Sequence, residues 1–162
     1  MNTTFSLEIF TSHTYTATSY NIETWCSLSI KDDNKSTLRS NEKLSDAIDR
    51  LKTLNHQANL INCSIPESIS LSINILREDT KPFGAYANGF TSIDALNIGG
   101  TVDVLEKRLD LNPEAYSKHV LDWLKLGASI VGGCCEISPE HINYIRRILD
   151  SLEYQIVNSF EI

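Results

Sequence analysis

Short apolar runs alternate with stretches whose apolar residues fall three or four apart, and the alternation recurs four times along the chain. The first run, 24–30, sets Trp25, Leu28 and Ile30 beside Cys26 and reads as a largely buried strand; the polar stretch 31–35 after it reads as a turn. Leu44, Ala47, Ile48, Leu51 and Leu54 place one apolar stripe on a helix over about 42–55. Residues 58–63 are too few and too apolar for a surface helix and predict a second buried strand. Pro66 suits the first turn of the next helix, where its missing N–H costs nothing, and Ile69, Ile73 and Leu76 supply that helix's inner face.

The pattern then repeats. Residues 81–87 predict a third strand ending at Asn88-Gly89, a pair that turns readily, and a loop continues through Gly99-Gly100. Asn112 and Pro113 form an N-cap and first-turn pair, Tyr116, Val120, Trp123 and Leu124 mark a helical face, and Gly127 stops it. A fourth strand, 128–131, precedes a last helix capped by Ser138, with Ile142, Ile145, Leu149 and Leu152 along one side. Residues 1–20 are rich in Thr and Ser and favour neither element. Buried strands alternating with amphipathic helices are the pattern of a parallel α/β sheet, whose functional groups gather at the carboxyl ends of the strands.

Composition narrows the function classes. With 162 residues, 41% hydrophobic and 22% charged, the chain is long enough for one ordinary soluble domain. Fourteen Lys and Arg against 21 Asp and Glu leave a formal charge of −7, which disfavours a general affinity for nucleic acid or for an anionic membrane. No window approaches the roughly 18 apolar residues of a membrane span, and the N-terminus lacks a secretory pattern, so the expected compartment is the cytoplasm. In that reducing setting four cysteines, two of them adjacent, favour metal binding or reactive thiols over disulfides.

The candidate chemistry sits where strands end. Gly132-Gly133-Cys134-Cys135 closes the fourth strand, and Cys63 closes the second; each is followed by a Pro-Glu pair opening a helix, at Pro139-Glu140 and Pro66-Glu67. Adjacent cysteines pair with each other only under strain, but both can face one metal ion. Three thiolates leave a fourth position of a tetrahedral zinc open to a reacting group, such as a substrate thiol, and two glycines leave room beside the metal. Spacing alone leaves open whether these thiols bind metal or are small buried hydrophobes, the reading preferred for Cys26. His13, His56 and His119 have no constellation; His141 reads as a first-turn surface residue, and Trp25 and Trp123 as core. Asn88 stands at a strand end, in reach of a substrate.

Asn62-Cys63-Ser64 with Pro66-Glu67, Tyr86-Ala87-Asn88, and Ile130 to Cys135 with Ser138-Pro139-Glu140-His141-Ile142 together resemble the homocysteine S-methyltransferase family. Residues 25–30 and Leu38-Arg39-Ser40 fit as well, and the match covers about 25–152 of a partial homocysteine-binding domain spanning 1–162. The resemblance implies a (β/α)8 TIM-type barrel in which Cys63, Cys134 and Cys135 hold zinc, with Asn62 and Asn88 as substrate-binding candidates. Homocysteine would take a methyl group from S-methylmethionine or S-adenosylmethionine to give methionine. Ala87 stands where the family has proline, and Glu136-Ile137 replaces a more basic, threonine-rich continuation; both bear on substrate orientation rather than on the metal. A complete barrel needs about 250 residues, so the expectation is a parallel (βα)4 half matching strands five to eight. A second copy or another chain would complete it, or the chain is a non-catalytic zinc- or thiol-binding remnant of the family.

Overall fold

The computed structural model describes residues 20, 23–33, 35–93 and 101–157, with the backbone alone at residue 102. The Thr- and Ser-rich opening with His13, and Gly99-Gly100, lie outside the described residues. Four strands, β1 (Trp25–Leu28), β2 (Ala58–Asn62), β3 (Phe83–Tyr86) and β4 (Ile130–Val131), form one parallel sheet in sequence order. Between and after them lie α1 (Leu44–Leu51), α2 (Pro66–Ser72), α3 (Pro113–Lys125) and α4 (Pro139–Ser151). The expected alternation is therefore observed, with each strand one to three residues shorter than its apolar run.

Register fixes which residues face the helices. Cys26 pairs with Asn59 and Leu28 with Ile61, while Asn59 pairs with Phe83 and Ile61 with Ala85, so these residues share one face. That face joins the apolar cluster built with Leu44, Ala47, Ile48 and Leu51 of α1, Ile69 of α2, Tyr116, Val120 and Trp123 of α3, and Ile145 and Leu149 of α4. Cys26 is thus the small buried hydrophobe expected of it. Trp25 is not core: it is 43% exposed, its indole N–H donating to Glu23 at 2.7 Å. The correction follows from the period of two, which puts Trp25 and Cys26 on opposite faces. On Trp25's face Tyr86 donates to Ser27 at 2.7 Å and Ser29 donates to Asn62 at 2.8 Å, leaving a partly polar surface.

The helices follow their local signals. Asn112 caps α3 by accepting from the Ala115 N–H at 2.9 Å, and Gly127, at φ +99°, supplies the left-handed residue that ends it. α2 tightens into a 3-10 segment at Ile73–Glu78 without losing its inner face, because the three-residue step from Ile73 to Leu76 matches a 3-10 turn. α4 buries His141, Ile145 and Leu149, an i, i+4, i+8 stripe, whereas Ile142 and Leu152 are 43% and 53% exposed. Ile145 and Leu149 lie inside as expected; the expected inner places of Ile142 and Leu152 and the expected surface place of His141 are corrected, and for His141 the reason is chemical: the ring can be buried because both nitrogens find partners. Ser138 N–H donates to Nδ1 at 3.1 Å, and Nε2–H donates to the Leu111 carbonyl at 2.9 Å.

At the amino-terminal end of β2 lies a second polar cluster. His56 Nε2 stands 2.7 Å from Asn59 Oδ1, Asn59 Nδ2 donates to Asp79 at 2.9 Å, and Lys81 Nζ lies 3.5 Å from the same carboxylate oxygen. His56 therefore has a constellation that its sequence neighbours do not reveal. Burial pushes the His56 ring below the ordinary histidine value. Burial alone would raise Asp79, but the Asn59 amide, Lys81 and His56 together bring it below the usual carboxylate value. Among the described residues no helix is long and apolar enough to cross a membrane.

Candidate metal centre

The segment Tyr86 to Gly89, running on from β3, is the rail to which both cysteine turns are fastened. On one side Cys63 N–H donates to the Tyr86 carbonyl at 3.2 Å and Asn88 N–H to the Ser64 carbonyl at 3.1 Å. On the other, Cys134 N–H donates to the Ala87 carbonyl at 2.8 Å and Gly89 N–H to the Cys135 carbonyl at 2.8 Å. Backbone bonds therefore bring together residues about 70 positions apart, and the side chains follow. Cys63, Cys134 and Cys135 place their sulfur atoms within 4.8 Å of one another, half-buried and unpaired by any disulfide.

Each turn is held in a conformation that ordinary residues avoid. Cys63 adopts φ 48° and Glu136 φ 63°, both in the left-handed region. The Arg39 guanidinium donates to the Cys63 carbonyl. Ser64 Oγ accepts from the Ile30 N–H at 3.0 Å, and Asp32 accepts from the N–H groups of Ile65 at 3.1 Å and Ile93 at 3.3 Å. Lys107 pairs with Glu136 at 2.8 Å. Arg108 joins Glu67 of α2 at 2.8 Å and Asp110 at 2.7 Å, fastening the loop before α3 to the helix after Cys63. Of the three side chains that hold the Cys63 turn, Ser64 is its sequence neighbour, while Asp32 and Arg39 come from the segment after β1. The signals that could have marked them were the polar turn ending β1 and the serine directly after Cys63.

The sulfurs fit a metal by their donor chemistry. Tetrahedral zinc holds thiolates at about 2.3 Å, which sets the sulfurs roughly 3.8 Å apart. Cys134 and Cys135 stand 3.8 Å apart, while Cys63 and Cys134 are closer, at 2.7 Å. At that distance either thiol of the close pair can donate to the other. That contact with Cys134, with burial adding to the effect, pushes the Cys63 thiol far above the ordinary thiol range. The same hydrogen bond brings Cys134 down to about 6, and burial raises Cys135.

Of the two asparagines named from sequence, Asn62 lies on the sheet face away from the helices, bonded to Ser29. Asn88 is fully buried; its Oδ1 accepts from the Phe90 N–H at 3.1 Å, while its Nδ2 has no hydrogen-bond partner. A buried amide donor left open beside the cysteine turns is costly unless something else accepts from it.

Parallel strands that bring three thiols to their carboxyl ends define a thiol-cluster protein of the α/β class. The family model for homocysteine S-methyltransferase matches residues 2–149, and the chain belongs to that family. The selenocysteine methyltransferase of Astragalus bisulcatus is 35% identical over 96 residues, 56% of this chain and 26% of that protein. Homocysteine S-methyltransferase 3 of Arabidopsis thaliana is 34% identical over 90 residues, 55% of this chain and 24% of that protein. The aligned region thus spans about a quarter of each of these relatives. In fold, the chain resembles the homocysteine methyltransferase MmuM from Escherichia coli in its metallated form, with a TM-score of 0.60 at 20% identity. The superposition covers 82% of this chain and 38% of that one.

Proposed function

We propose that this chain carries the metal-binding part of a zinc-dependent homocysteine S-methyltransferase, transferring a methyl group from S-methylmethionine or S-adenosylmethionine to homocysteine in the cytoplasm. The convergence of Cys63, Cys134 and Cys135 within 4.8 Å carries this reading, because three thiols are the ligand set that leaves one zinc position open. Zinc bound there would supply a Lewis acid able to keep a substrate thiol deprotonated near neutral pH. The rest is work for the protein's own groups. Arg39, Asp32 and Ser64 hold the Cys63 turn, Asn88 offers its open Nδ2–H to the substrate, and Asn62 contacts it from the neighbouring strand. We read residues 1–162 as a partial homocysteine-binding domain, a (βα)4 half of a (β/α)8 barrel matching strands five to eight. Among the described residues β1 and β4 each have one strand neighbour, so their outer edges need a cover. A second copy or another chain would provide it.

Purified protein is expected to hold one zinc per chain, to lose it in Cys134→Ala, and to form methionine from homocysteine and S-methylmethionine. Full zinc retention by Cys134→Ala would reject the site. A second reading is a non-catalytic zinc- or thiol-binding remnant of the family. Stoichiometric zinc without turnover, even in the native-mass fraction that contains a partner chain, selects that reading.

A further inference from the structure

A side chain stands in for one rung of the ladder that leads to the cysteine pair. With Ala85 registered on Val131, the Gly132 N–H donates to the Ala85 carbonyl at 3.2 Å, and two residues on the Cys134 N–H donates to the Ala87 carbonyl at 2.8 Å. Regular parallel pairing sets a third bond between these two, from the Ala87 N–H to the Gly132 carbonyl. Instead the Ala87 N–H donates to the Tyr116 hydroxyl at 3.1 Å, and that hydroxyl donates to the Gly132 carbonyl at 2.6 Å. A hydroxyl can do this because it accepts and donates at once. Two bonds in series hold the two backbone groups farther apart than the roughly 2.9 Å of one direct bond.

The hydroxyl is not free to wander. Tyr116 is fully buried on α3, and its ring meets Trp123 edge-on at 6.1 Å and His141 edge-on at 6.0 Å between centroids. The widened rung falls at Gly132, directly before the residue whose missing Cβ lets the chain pass Ile137 and turn into Cys134. We infer that Tyr116 is a positioning residue of the metal centre: its hydroxyl parts β3 from the end of β4 and so aims Cys134 and Cys135 at Cys63. The inference rests on the reading of the three cysteines as metal ligands.

Tyr116→Phe keeps the ring and removes the inserted oxygen. In the 162-residue chain, with cobalt(II) as probe, it is expected to bind about 10- to 100-fold more weakly than wild type. Its thiolate-to-cobalt absorption band should also weaken or shift, and the Ala87 and Cys134 amides should exchange faster. Ser70→Ala is the control, since it removes another buried bond of α3, from Trp123 Nε1 at 2.8 Å, that does not touch the thiols. It should lower thermal stability and leave cobalt affinity and spectrum alone. A Tyr116→Phe protein with wild-type affinity, spectrum and amide exchange overturns the inference, as does an equal loss of cobalt affinity in Ser70→Ala. Failure of the wild type to bind cobalt is a different result and overturns the metal reading beneath it.

Discussion

Two protons on three sulfurs illustrate how much of this protein is decided residue by residue. The contact with Cys63 lowers Cys134, while Cys63 and Cys135 keep their protons above the ordinary thiol value. A metal entering the cluster must displace those two protons, so affinity should rise with pH across the neutral range, by up to about 100-fold per pH unit. Competition with a chelator between about pH 6 and pH 8 would show it; a flat profile would mean that the ligands are not these thiols. The three cysteines were legible in the sequence because each stands where an apolar run stops. Arg39 and Asp32 were legible only as part of a motif or a turn, since neither carries a mark that it will reach across to the Cys63 turn.

Between strand and helix, the glycine pair separates into two roles. A Cβ on Gly133 would lie 2.2 Å from Ile137 Cγ2, whereas one on Gly132 would meet nothing nearer than Tyr86 Cβ at 3.6 Å. Gly133→Ala is therefore expected to cost about 1–3 kcal/mol and to weaken metal binding, and Gly132→Ala to change stability by less than about 1 kcal/mol. Thermal melts and cobalt titrations of the two variants make the comparison, and equal behaviour would contradict it. Sequence periodicity places all four helices and the buried Ile145 and Leu149, yet it misassigns Trp25, Ile142 and Leu152. These errors share a cause. Apolar character is not by itself a sign of burial: register puts Trp25 on the outer face, and two backbone bonds make His141 a better inner residue than Ile142.

Across the whole molecule, the buried His56 and the partly buried His119 should set the acid limit of stability. Burial is the chief cause that lowers both His56 and His119 from 6.5. An imidazole whose folded value lies below its unfolded value takes up protons on unfolding. Its contribution is present above pH 6.5 and lost as pH falls through the folded value. Asp79, also lowered, adds a loss of the same sign in more acid solution. Urea midpoints should fall between about pH 7.5 and pH 5.5, and fall less in His56→Gln; an unchanged wild-type midpoint would sink the claim. Asn59→Ala, which breaks the bridge between His56 and Asp79, should cost about 1–3 kcal/mol at neutral pH.

The sequence by itself determined the alternation of strands and helices, the caps at Asn112 and Ser138, the stop at Gly127 and the strand-end placement of three thiols. These are local matters of period, backbone freedom and missing donors, so a short window contains the cause. Tertiary structure alone decided that Cys63 meets Cys134 and Cys135, that Asn88 is buried with an open donor, and that Tyr116 occupies a rung between two strands. Those facts depend on which strand lies beside which and in what register, and groups 16 to 71 residues apart become partners only once the sheet has formed.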